Sequence, residues 1–594
     1  VPMAGFQTGT YTVATSGGTL NGVANLTPVT ASRYTFTIAE NGFNVEVTAA
    51  GAASNLVWAG INPGVGTGVA TATWDLTNTV NFAGGERFYA GDTVLFDDTA
   101  AKTMVNLVGD LMPAGVAVNA TSNYTLSGTG RITGMTGLTK DGSGTLFLNT
   151  TNDYMGTTLV RNGILRPGNT GAIGHVSAPI VVTNSGTLDV GGLMFSNRVL
   201  YLSGAGVGGT GAVINTGGAP QDALKTVVLM GDATVGGTAR LDIRQRAAGS
   251  PASLSTLGNP WTLTKTGPNM FGLVAVTIDP ALGEILVQQG DFRVETTTTP
   301  SLGNPALPMT IWSNARLSIY NLSTGLTKQI VLRDGAIVEQ ATASGGQIFT
   351  NSGPIVLSNG IARFTSSQGG LETHLRGPIS GAGGLQKESS NILRMFGTNT
   401  YQGSTIISAG VLVVAENGSI RESPDIYLIP AGTRLLLDNT GVNASNRLGD
   451  SAVLHLGSGS FEFRTRTNEV VVETVGALSL EGGVGQLGMQ NRASASSGLG
   501  LYFINLQRIA GVLNITNSGN GTLGGGVSNS ANPLVWFGNV ADGVVLPYVT
   551  YFGTNATRYS AANGVVPLTF GALSEFDGGS DQTGQDTRFS TIRG

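Results

Sequence analysis

The 594-residue chain has no cysteine, three histidines and few charges, with Asp, Glu, Lys and Arg making up 11% of it. Without cysteine there are no disulfides and no thiolate metal sites, and so few histidines leave little for imidazole ligation. Stability has to come from burial and backbone pairing. The 31 basic and 36 acidic residues give a net charge of −5, which lacks the electrostatic footprint needed to hold a phosphate backbone and excludes nucleic acid as a partner. No apolar run approaches the about 18 residues that span a bilayer, so no membrane span is expected. The opening segment, VPMAGFQTGTYTV, has neither the basic nor the apolar region of a secretory signal and reads as the start of a mature or trimmed chain.

What the chain does have is glycine, 90 residues, alongside 41% hydrophobic residues. Glycine and proline together stay below the level that marks disorder, so a large core can be buried. Almost every segment alternates apolar and polar residues for a few positions and then stops at Gly, Asn, Asp or Ser. GTLFLN from Gly144, IVVTNSGTLDVGG from Ile180 and RVLYLSG from Arg198 are examples. This is the pattern of short strands and sharp corners, and sustained helical periodicity is absent.

Internal repetition is the strongest feature. Residues 137–165 align without gaps on 384–412, with twelve identical positions. Among them are Gly137/Gly384, Leu138/Leu385, Lys140/Lys387, Leu146/Leu393, Asn152/Asn399, Tyr154/Tyr401, Gly156/Gly403, Gly163/Gly410 and Leu165/Leu412. A degenerate copy covers 263–294, where Lys265, Phe271 and Leu273 stand for Lys140, Leu146 and Leu148. The comparison orients the strand: Leu146 and Leu148 stay apolar as Leu393 and Met395, whereas Phe147 between them becomes Arg394 or Gly272. One face is buried and the other is free. Gly156, Gly163 and their partners flank a short strand, as corners needing left-handed backbone or close approach between coils require.

Short strands that cannot each build a core are best stacked as coils of a parallel β-helix, with coils about 4.8 Å apart and a length on the order of 100 Å. The expected fold is therefore all-β: a parallel β-helix (β-solenoid) with β-rich terminal caps and almost no helix. Residues 1–120 form a β-rich cap and first coils, 121–535 the solenoid, and 536–594 a C-terminal β cap and polar tail. The competing string of sandwiches predicts hairpins at Asn41-Gly42, Asp141-Gly142, Asn162-Gly163 and Asp334-Gly335.

The sequence Gly137-Leu138-Thr139-Lys140, the strand Gly144-Thr145-Leu146, the corner Asn152-x-Tyr154-x-Gly156-x-Thr158 and the closing Gly163-x-Leu165 resemble the autotransporter-associated β-strand repeat. This motif, also described as the passenger-associated transport repeat, belongs to bacterial secreted and surface β-helix proteins. The second copy departs from it only in part, with Asn391 and Ile392 in place of Gly-Thr. The resemblance implies a β-helical stalk outside the cell. A terminal set of about ten-residue alternating strands for a membrane barrel is not seen, which places any barrel beyond Gly594 or export on another route. The segment from Ser574 reads as a polar linker.

No catalytic set converges. Asp97 and Asp98 are neighbours on a strand and point to opposite faces, so a turn role is expected. His175, His374 and His455 are far apart and read as surface or turn histidines, and Glu372, His374 and Arg376 as the polar face of a solvated strand. GAGVGG from Gly204 lacks the following helix of a nucleotide site and reads as a corner. Lys140, Lys265 and Lys387 read as architectural, with a basic row for anionic glycans as the sharper alternative. Tyr154 and Tyr401 read as packing residues rather than sugar platforms, and calcium at Asp577, Asp581 and Asp586 lacks its ladder motif. The chain is expected to be non-enzymatic, without catalytic, metal or cofactor residues: an extracellular stalk or self-assembling subunit that associates through its solenoid ends and contacts surface or matrix glycans. A polysaccharide-binding or polysaccharide-cleaving β-helix is the alternative.

Overall fold

A computed structural model describes residues 8–20, 22–23, 33–60, 72–219, 223–247, 249–342, 346–466, 470–490, 498–519, 521–525 and 532–568. The tail from Ser574, with Asp577, Asp581 and Asp586, lies outside these residues. The chain is an all-β solenoid, 50% strand and 1% helix. It divides into two compact units, Val1–Ala343 with Phe349–Ile355, and Ser344–Ile348 with Val356–Gly594.

In the first unit the coils stack as parallel ladders. One ladder runs Thr93–Phe96, Gly115–Asn119, Leu138–Asp141, Thr158–Pro167 and Ile180–Asp189, each strand hydrogen-bonded to the next. Another runs Met104–Leu107, Tyr124–Gly128, Thr145–Leu148 and the second half of Thr158–Pro167. Beyond residue 240 a further ladder runs Leu241–Arg244, Met270–Val274, Asp291–Glu295, Arg316–Tyr320 and Ile337–Ala341. An antiparallel sheet, Gly9–Thr15, Asn44–Ala50 and Thr35–Asn41, stands at the N-terminal end.

The second unit repeats the plan. Ile361–Ser366, Gly384–Lys387, Thr405–Ile407, Asp425–Leu428, Val453–Leu456 and Val470–Leu480 form one parallel ladder. Glu372–Leu375, Ile392–Met395, Val411–Ala415, Arg434–Asp438 and Ser460–Arg464 form the other. The antiparallel strands Val545–Tyr551, Asn555–Ser560 and Gly564–Pro567 close it.

Period-two alternation places the core. Leu146, Leu148, Leu393, Met395, Phe271 and Leu273 are all buried, and in-register stacking sets Leu146 on Leu165 and Leu393 on Leu412. Leu138 and Leu385, which open the two repeats, are buried in the same way. Leu138 lies between Val116 and Thr158, and Leu385 between Ala362 and Thr405. The outward Phe147 and Arg394 are half-buried. Of the four turn dipeptides, only Asn41-Gly42 makes a hairpin, between Thr35–Asn41 and Asn44–Ala50. Asp141-Gly142 and Asn162-Gly163 instead turn corners between parallel strands, with positive φ at Gly142 and Gly163 (67° each).

Two corner glycines differ in an instructive way. Gly163 has φ +67° and a β-carbon there would stand 2.5 Å from Lys140 Nζ, whereas Gly335 has φ +70° with nothing nearer than 3.4 Å. Gly410 reproduces the Gly163 corner in the second repeat: its φ is +69°, and a β-carbon would meet the Ser389 and Asn391 carbonyl oxygens at 2.5 and 2.6 Å. Gly335→Ala is expected to cost the left-handed penalty alone, about 1–2 kcal/mol. Gly163→Ala should cost more, because the corner itself must also move. Thermal unfolding of the two variants compares them, and equal losses would contradict the close-packed corner.

Candidate functional site

The repeat positions lie inside the coils. Lys140 occupies an inward position between Val118 and Val160, Lys265 between Val235 and Val287, and Lys387 between Phe364 and Ile407. Each is at most 1% exposed. The stem fills an apolar column and the ammonium turns to the corner where the strand ends. Lys140 Nζ donates to the carbonyls of Asp141 (2.7 Å), Gly142 (2.7 Å) and, one coil on, Asn162 (3.1 Å). Lys265 Nζ donates likewise to Thr266, Gly267 and Gln289, at 2.7, 2.8 and 3.0 Å. Lys387 Nζ reaches Ser389 and Ala409, the residue before the Gly410 corner. These ammonium groups do not face a glycan; the basic-row alternative is excluded by burial.

Lys328, which the repeat alignment passed over, is also buried and donates to the carbonyls of Gly283 and Asn304. Its signal was available: Leu326-Thr327-Lys328 repeats the tripeptide of Leu138-Thr139-Lys140 and Leu263-Thr264-Lys265. Burial pushes Lys140, Lys328 and Lys387 down to about 8 and Lys265 to about 7.

Asn152 ties three successive coils together, accepting from Ile132 N–H (2.8 Å) and donating to the Ala172 carbonyl (2.6 Å). Asn399 does the same between Ile379 and Ser419. Tyr154 and Tyr401 are buried, their hydroxyls on Thr158 (2.7 Å) and Thr405 (2.6 Å), so neither offers a ring face to a sugar. Gly156 and Gly403 lie against the preceding coil, where a β-carbon would meet Thr136 O at 2.5 Å and Gly383 O at 2.7 Å. Gly137 and Gly384 lie as close to the following coil, where a β-carbon would meet the carbonyl oxygens of Thr157 (2.7 Å) and Ser404 (2.4 Å).

The outward faces carry polar ladders. In the first unit, register places Asp242, Gly272, Arg293, Ser318 and Glu339 in one row. The Asp242 carboxylate is fully buried, held by Arg240 Nε and Arg244 Nη2 at 2.9 Å each. Arg240 also donates to Glu295 (3.0 Å), and Arg316 to Glu339 (2.8 Å). Burial pushes the carboxyls of Asp291 and Glu295 upward, against the pull of neighbouring arginines. Sequence reasoning did not find this network: Arg240 and Arg244 flank Asp242 in the sequence, but Glu295, which joins them, comes from a different coil.

In the second unit, Glu372, His374 and Arg394 come together: Glu372 lies 2.9 Å from His374 Nε2 and 2.9 Å from Arg394 Nε. Arg394, and after it His374, hold the Glu372 carboxyl down to about 2. Arg376 lies over the Phe396 ring at 4.3 Å, the ring that His374 also meets, edge to face at 5.2 Å. On the other ladder Tyr427 stacks on His455 at 4.3 Å, while His455 meets Glu481 (2.6 Å) and Asp425 (3.1 Å). Of the three histidines, His175 lies exposed at a turn, while His374 and His455 are half-buried on the outward faces of strands, each in carboxylate contacts.

Asp98 is a turn residue, accepting from the Thr121 and Ser122 amides. The Gly204–Gly209 stretch is a corner with a single 3-10 turn, Val207–Gly209. Among the described residues no group of three His, Asp or Glu side chains can hold a metal ion, and no helix is long and apolar enough to cross a membrane.

This fold, with its repeated buried corners, is that of a parallel β-helix. The passenger-associated transport repeat matches the chain twice, at residues 138–166 and 385–414. Among curated proteins, the chain is 26% identical over 508 residues to the adhesin BmaC autotransporter of Brucella suis biovar 1 (strain 1330). That alignment covers 75% of this chain and 14% of the Brucella protein. No solved structure matches.

The buried lysines give a pH prediction. Unfolded lysine titrates near about 10.4, above the folded value of Lys265, so between the two the unfolded chain binds a proton that the folded chain does not. Stability from this group therefore rises with pH from about 7 and is complete above about 10.4. The melting-temperature advantage of the native chain over Lys265→Met should widen as pH is raised across that window. A constant or shrinking difference would contradict the burial of Lys265.

Proposed function

We propose that the chain is a non-enzymatic β-helical passenger segment displayed outside a bacterial cell, serving as a structural and adhesive element. The observation that carries this reading is the repeat itself: its invariant polar side chains close corners inside the solenoid, and none is aimed at a substrate. The adhesin relative supports the adhesive half. Self-association through the ends is supported by Gly9–Thr15, an exposed strand at the edge of its three-stranded sheet among the described residues, since sheet edges recruit further strands.

A polysaccharide-handling reading has one observation in its favour, the raised carboxyls of Asp291 and Glu295 on an outward face. Against it, Glu295 and the nearby Asp242 are held by arginines, which removes the free base that glycosidic chemistry needs.

Purified chain added to host cells and to immobilised matrix proteins tests the proposal. Saturable binding with no release of reducing sugar from a polysaccharide panel is the expected result. Polysaccharide cleavage abolished by Asp291→Asn, together with no binding to cells or matrix, would overturn it.

A further inference from the structure

Three exposed side chains of soft or borderline donor chemistry stand in register on successive coils of the first unit. Met155 N–H donates to Gly134 O (2.8 Å) and His175 N–H to Tyr154 O (2.9 Å). In a parallel ladder the donor residue sits beside the residue that follows the acceptor. Met155 therefore lies beside Met135, and His175 beside Met155. Met135 is 58% exposed and Met155 43%, and His175 is exposed as well. Adjacent coils are about 4.8 Å apart, close enough for flexible thioether side chains on neighbouring coils to share one ion.

We propose that Met135, Met155 and His175 form a binding site for a soft monovalent metal ion, Cu(I) in the first instance. Thioethers are weak ligands for hard cations but suit Cu(I), and imidazole completes a three-coordinate set. His175 Nδ1 lies 2.8 Å from Ser177 Oγ. Ser177 N–H also donates to Nδ1 (3.2 Å), so the neutral ring carries its proton on Nε2, and a metal at Nε2 moves that proton to Nδ1, toward Ser177 Oγ, at the expense of the amide contact.

The fold does not demand these residues. The second repeat has the same corner, with Gln402 N–H donating to Gly381 O at 2.9 Å, yet its aligned positions are Ala382, Gln402 and Glu422. The solenoid thus tolerates small, polar or acidic residues where the first copy places two thioethers and an imidazole. Binding involves no electron transfer, since the ion enters and stays as Cu(I). The site is independent of the adhesive reading above.

The test uses Ag(I), a redox-stable ion of the same chemistry, in calorimetric titration of the full chain, followed by anaerobic competition for Cu(I) against a chromophoric chelator. One saturable equivalent is expected. The double variant Met135→Leu/Met155→Leu should keep the native melting temperature and lose at least the about 10–100-fold in affinity that even an outer-shell change costs. His175→Gln should weaken binding in the same direction. Met104→Leu/Met230→Leu, which removes two other exposed methionines, should leave affinity unchanged. Absence of saturable Ag(I) binding in the native chain, or equal affinity in the Met135/Met155 double variant, would overturn the proposal.

Discussion

The structure depends on satisfying the backbone where each coil turns. Along a strand, amides and carbonyls pair with the coils on either side. At a left-handed corner the carbonyls swing away from that ladder into an interior that excludes water. Each one left without a donor costs about 1–3 kcal/mol, and a chain of many coils meets the problem many times. Lys140 and Lys265 answer it by bringing three donors each to three carbonyls. A buried ammonium alone would be costly, and so would the bare carbonyls, but together they offset. Arg198 and Arg447 follow the same logic, donating to the Gly174 and His175 carbonyls and to those of Gly418 and Val442.

Once the corners are closed inside, the outward faces are free to vary. The first unit uses that freedom for an arginine and carboxylate network around the buried Asp242, and the second for imidazole and aromatic pairs at His374 and His455. These groups lie across neighbouring coils and so brace the ladder laterally. They also give each unit a different surface on a common frame, as suits a chain whose architecture is repeated and whose recognition is local.

Much of the frame was legible in the sequence. The inward row of Leu146 and Leu148, and the glycine corners at Gly156, Gly163 and Gly410, could be read because two copies of one coil allowed each position to be compared with its counterpart. The recurrent lysines were visible as a pattern, but their burial was not, since lysine in a polar-looking strand reads as a surface residue until its carbonyl partners are placed. The Asp242 network and the His455 cluster were hidden for another reason. Glu295 in the first, and Asp425 and Glu481 in the second, lie one or two coils from the groups they meet, and coil lengths differ, so sequence spacing alone does not bring them together. The Asp141-Gly142 and Asn162-Gly163 dipeptides carry the same turn chemistry as the Asn41-Gly42 hairpin, and only the pairing of the flanking strands separates corner from hairpin.

The central claim, that successive coils lie in parallel register, is open to a direct measurement because the chain has no cysteine of its own. Thr139 and Leu159 are outward-facing register partners, at a cross-strand spacing of about 4.8 Å that falls within the range a disulfide can bridge. Oxidation of the Thr139→Cys/Leu159→Cys variant should give a near-complete intramolecular cross-link, and Thr139→Cys/Arg161→Cys, displaced along the strand, should give little. Equal yields from the two pairs, or preference for the displaced pair, would contradict the stacked-coil account.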